Sequence, residues 1–107
     1  MGFIVVYITH ESEAAAYALG KQLVEERLAA CANAFPIRSA YHWQGTIEEA
    51  GEWVVLVKTV KENWDALRAR VSTLHTYNIP CIMKFDVEAN EAYERWIRKS
   101  VIIQDPK

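Results

Sequence analysis

Residues 53–57, Trp-Val-Val-Leu-Val, are apolar at five successive positions. A strand sends alternate side chains to opposite faces, so such a run has no wet side and both faces of its sheet must be covered. The run is the second arm of a hairpin expected over residues 41–59, where a polar, glycine-marked middle separates two segments rich in aromatic and β-branched residues. A chain of 107 residues carries too few helices to cover a sheet on both sides. A further copy of the chain is the expected cover.

The rest of the sequence supplies the frame around this hairpin. Residues 3–9 read as a central strand, since they are continuously apolar and largely β-branched or aromatic. Ser12 is placed to cap a helix from Ala14 to about Ala30, with Ala15, Leu19, Leu23, Val24 and Leu28 on its inner stripe. Residues 31–44 form a second strand, expected to break near Phe35-Pro36. Beyond that break Ile37, Ser39, Tyr41 and Trp43 share one face, the alternation of an edge strand.

Residues 52–59 give the third strand. Thr59-Val60-Lys61-Glu62 then fits a capping box for a helix carrying Trp64, Leu67, Val71 and Leu74 inward as far as about His75. Residues 81–87 alternate as an outer strand entered through Pro80. A third helix starts at Asn90 or Glu91 with Tyr93, Trp96 and Ile97 inward. Val101-Ile102-Ile103 is expected as a short strand or arm against a partner subunit. The fold class is therefore α+β: a ferredoxin-like βαββαβ domain over residues 1–107, with an antiparallel sheet, an extra C-terminal helix and a short arm. The first and third strands lie inside and the second and fourth outside.

A formal charge of −2 supplies no basic field, so nucleic acid is excluded as a partner. The apolar N-terminal stretch is short and meets His10-Glu11-Ser12-Glu13 at once, so no membrane segment is expected there. Cys31 and Cys81 have no CxxC spacing and are expected reduced, as in a cytoplasmic protein. No phosphate loop, nucleophile elbow or acid–base pair stands out, so the chain is not read as an enzyme and no catalytic residue is assigned.

Several spaced motifs in order resemble one family: Leu28-Ala29-Ala30-Cys31-Ala32-Asn33, Tyr41-x-Trp43-x-Gly45, Glu48-Glu49, Lys58-Thr59, His75-x-Tyr77-x-x-Pro80 and Tyr93-x-x-Trp96-Ile97. Together they are similar to the CutA divalent-cation-tolerance family over nearly the whole chain. The resemblance implies a PII-like homotrimer with a role in the response to metal ions, copper among them, and no required cofactor. It also exposes departures. Copper-binding members carry cysteine where this chain has Ile8, some carry a second histidine where it has Leu74, and Pro80-Cys81 replaces the common Pro-Glu. A soft thiol thus stands where a hard oxygen donor would be.

Two sets of candidate residues follow. His75, after a helix and near Tyr77, suits copper or another divalent cation, with Cys81 six residues on as its companion; a helix-capping histidine and a space-filling cysteine are the competing readings. Tyr41, Trp43, Trp53, Tyr77 and Lys58 are the candidate lining of an intersubunit cleft, with Lys58 its positive charge for a small anion; plain interface packing competes. His10, His42, Glu48, Glu49 and Glu52 read as solvated, and Cys31 as core filling. The alternative function is a PII-like trimeric sensor or scaffold that binds an anionic ligand or a partner protein in those clefts.

Overall fold

The computed structural model describes residues 2–104; Met1 and residues 105–107 of the expected 1–107 domain lie outside the described residues. In chain order the elements are β1 (Phe3–His10), α1 (Glu13–Glu25), β2 (Cys31–Trp43), β3 (Thr46–Thr59), a single 3-10 turn (Lys61–Asn63), α2 (Trp64–Leu74), β4 (Ile82–Val87) and α3 (Glu91–Ser100). The four strands form one antiparallel sheet in the order β2-β3-β1-β4. The two strands with the longest apolar runs are inside, and the two that alternate are outside, as expected.

Register decides which side chains share a face. Ile4, Val6 and Ile8 stand opposite Thr59, Val57 and Val55. These residues face α1 and α2, where Ala16, Leu19, Leu23, Leu67 and Val71 complete the main core. Each such fully buried aliphatic side chain contributes about 1.5–3 kcal/mol relative to exposure. Gly20 marks the closest approach of α1 to the sheet: a Cβ there would lie 2.7 Å from both Ala32 Cβ and Val55 Cγ2.

On the other face Val5, Tyr7 and Thr9 stand opposite Lys58, Leu56 and Val54. This face is not bare in a single chain. α3 crosses one end of it, where Phe3, Ala30, Val60, Ile97 and Val101 form a second core with Val5, Val87 and Tyr93 around them. The expectation that the helices leave one face wholly to a partner is corrected to that extent. Farther along, Met83, Phe85 and Phe35 remain 36–49% exposed. Apolar area thus stays open on the β4 side and along the β2 edge.

The boundaries differ from expectation where local chemistry overrides pattern. α1 starts as read, with Ser12 Oγ accepting from Ala15 N at 3.1 Å. It ends five residues early in a Schellman closure: Arg27 adopts φ 59°, Leu28 N donates to Leu23 O, and Arg27 N donates to Val24 O. β2 does not break at Pro36. On an edge strand half the N–H groups point away from the sheet, so a residue without one is accommodated in register opposite Trp53.

The capping box does not form either. Thr59 Oγ1 donates to Leu28 O at 2.7 Å, and the 3-10 turn precedes α2. In α3, Ile97 is buried and Tyr93 half-buried, but Trp96 is 43% exposed and Glu94 takes the inward place. Its carboxylate accepts from Gly2 N and Ala89 N, both at 2.7 Å. Residues 101–103 are not a strand. They are held by their own chain, with Ile102 N donating to Arg27 O and Asn63 Nδ2 donating to Ile102 O.

Candidate functional site

The β2–β3 hairpin overhangs the sheet. Only residues 53–59 of β3 reach β1, while residues 46–52 pair with β2 alone. A 13-residue strand spans about 43 Å at ~3.3 Å per residue, which accounts for the 45 Å long axis of the chain. Gln44 (φ 50°) and Gly45 (φ 82°) close the hairpin in two left-handed residues, the turn that fits the strand twist. That turn sets Trp43 opposite Thr46 and Tyr41 opposite Glu48.

Where the overhang leaves the sheet, the segment between α2 and β4 folds beside it. A groove of about 520 Å³ lies between the two. Tyr41, Trp43 and Glu48 line it from the hairpin, and Tyr77 and Cys81 from the segment. Tyr77 OH donates to Glu52 Oε2 at 3.0 Å and joins the two walls. Burial first, then this bond to Glu52, raises the phenol pKa; burial and then Glu52 also raise that of the Cys81 thiol. Cys81 therefore carries its proton at neutral pH.

The candidate residues do not gather at one point. Tyr41, Trp43, Tyr77 and Cys81 share the groove. Trp53 lies on the opposite side of the sheet, next to His10 in register and packed on the main core. Lys58 is at the far end, where Nζ donates to Tyr93 OH at 3.3 Å and sits 5.4 Å from the ring centroid. Cys31 is half-buried there, with Sγ 3.7 Å from the same hydroxyl. Among the described residues the groove thus has no lysine or arginine in its lining.

His75 stands behind the groove. Its Nδ1 accepts from Tyr77 N at 3.1 Å, so its proton is on Nε2, which donates to Thr9 O at 2.7 Å. Both nitrogens are in use, and its own N–H closes α2 on Val71 O. His10 is 4% exposed rather than solvated. Its ring stacks on His75 with centroids 4.1 Å apart and planes 15° from parallel. Burial and then the neighbouring His75 push its pKa down.

Donor chemistry for a bare ion is thin. Among the described residues no three of histidine, cysteine, aspartate and glutamate gather closely enough to hold a metal. Ile8 is sealed in the main core, and Leu74 packs against that core.

Three features of this region escaped the sequence reading, the first being that His42 lines the groove. Glu48 and Glu52 line the groove instead of a solvated tip; counting back from a two-residue Gln44-Gly45 turn would have set Glu48 opposite Tyr41. His10 continues the inward series Ile4, Val6, Ile8, a period-2 signal that was available.

Comparison with known proteins points one way. The family model described as CutA1 divalent ion tolerance protein matches residues 4–100. The divalent-cation tolerance protein CutA of Thermus thermophilus is 44% identical over 98 residues, covering 90% of this chain and 95% of that protein. Its namesake in Thermotoga maritima is 41% identical over 100 residues, covering 92% and 99%. Among solved structures, CutA1 from Oryza sativa superposes with a TM-score of 0.92 at 31% identity, covering 97% of each chain. CutA1 from Pyrococcus horikoshii gives 0.89 at 37% identity, covering 92% of this chain and 98% of that one.

Proposed function

Because the chain belongs to the CutA1 divalent ion tolerance family, we propose that it serves divalent-cation tolerance as a non-catalytic homotrimer that meets the cation weakly at the hairpin groove. The observation that carries this reading is the groove's composition. A thiol, two carboxylates, the aromatic rings of Tyr41, Trp43 and Tyr77, and His42 line it, and no lysine or arginine does among the described residues. Cys81 is the first donor for zinc or copper, since a thiolate suits both. His75 is the second, available to an ion only by giving up Tyr77 N or Thr9 O.

The trimer is supported by apolar surface left open on Met83, Phe85 and Phe35. A cyclic assembly covers such surface with the fewest distinct contacts. The relatives carry tolerance names rather than enzyme names, which supports a non-catalytic role. Two free cysteines support a reducing, cytoplasmic setting; among the described residues no helix is long and apolar enough to cross a membrane.

Calorimetric titration of Zn²⁺ into the assembled protein tests the reading. Binding is expected to weaken at least tenfold in Cys81→Ser and by a smaller factor in His75→Ala. No heat of binding in the parent protein, or equal binding by Cys81→Ser, contradicts it.

A further inference from the structure

A bare ion would fill only a small part of the groove. The described residues offer no three-donor set. A volume of about 520 Å³ compares with the ~30 Å³ that one water occupies in the liquid. It falls within the 300–1,000 Å³ typical of small-molecule sites.

The walls specify what fills it. Tyr41 and Trp43 alternate on one face of β2, so both rings turn to the same side, and Tyr77 closes from the other wall. Glu48 stands directly opposite Tyr41. Glu52 uses Oε2 for Tyr77 OH, which leaves Oε1 for a second donor. Aromatic faces attract cations through the ring quadrupole, and carboxylates accept N–H bonds from them. With Lys58 committed to Tyr93 at the far end of the sheet and no lysine or arginine in the lining, the two carboxylates favour a cation over an anion here.

We infer that the groove takes a small amine-bearing cation, with its N–H groups on Glu48 and Glu52 and its apolar carbon on Tyr41, Trp43 and Tyr77. This rests on the reading of the groove as the cation site and deepens it. A divalent metal wrapped in amine ligands and a free organic diamine share this chemistry; the metal complex is held through its outer sphere without a bond from the protein.

The test uses tris(ethylenediamine)cobalt(III), whose ligands do not exchange, so no protein atom can join the metal. It is titrated into the assembled protein at low salt beside protonated ethylenediamine and Zn²⁺. The complex is expected to bind, with roughly fivefold or greater loss in Trp43→Ala, a similar loss in Glu48→Gln and retention in Trp43→Phe, which keeps a ring. Both positions are exposed on the overhang, so the protomer core is untouched by these changes. The mass of each variant shows whether assembly is kept.

Equal binding by ethylenediamine and the complex supports the inference and names the free amine as its source; tighter binding of the complex names the chelate. No saturation at millimolar concentration, or binding unchanged in both Trp43→Ala and Glu48→Gln, overturns it. Zn²⁺ binding that depends on Cys81 while the complex fails to bind removes this inference alone. Binding of the complex without Zn²⁺ binding removes direct ion ligation and leaves the inference standing.

Discussion

Tyr77 OH donates a 3.0 Å hydrogen bond to Glu52 Oε2, and this contact closes the turn after α2 against the long hairpin. A charged acceptor makes it stronger than a neutral bond, and burial raises the phenol's pKa, so the donor keeps its proton. Tyr77→Phe is expected to cost roughly 1–2 kcal/mol in denaturant unfolding. It should also loosen amine binding in the groove.

Gly20 has no room for a methyl group. An added Cβ would stand 2.7 Å from both Ala32 Cβ and Val55 Cγ2, so Gly20→Ala forces α1 off the sheet. The gain in helix propensity, about 1 kcal/mol, offsets part of an overpacking cost of about 1–3 kcal/mol. Net destabilisation is expected, and a thermal melt of the variant above that of the parent would contradict the close approach.

Glu94 ties α3 to the ends of β1 and β4. Hydrogen bonds from Ala89 N and then Gly2 N hold its carboxyl below the usual 4.5, against the effect of burial. The unfolded chain therefore binds the proton first as pH falls. The stabilisation is fully present above about pH 4.5 and is lost as pH drops through the lower folded value. Unfolding measured from pH 6 to pH 3 is expected to show this loss in the parent and a flatter profile in Glu94→Gln, which is also less stable at pH 6.

Val55 and Phe85 separate folding from assembly. Val55 is fully buried beneath α1, so Val55→Asp strands a charge inside the protomer and unfolds it. Phe85 is 49% exposed on the other face. Phe85→Asp is expected to keep the protomer's circular dichroism while lowering its association.

The sheet order was legible because connection rules and apolar pattern agree: the doubly greasy runs at residues 3–9 and 53–57 had to lie inside. Helix ends were less legible, because Arg27 closes α1 in a conformation that usually advertises itself with glycine. Placing α3 needed tertiary information, since Trp96 and Glu94 exchange the sides that hydrophobicity assigns them. At the groove, Tyr41 and Trp43 were recognisable by their alternation. Lys58 and Trp53 were assigned there by composition, and register sends one to Tyr93 and the other to the helix side.

Incomplete coverage of the second sheet face is the premise on which the proposed assembly stands. Multi-angle light scattering at micromolar protein reads it directly. A uniform species of three times the 12.3 kDa chain mass is expected. A stable, monodisperse particle of one chain mass under the same conditions would contradict it.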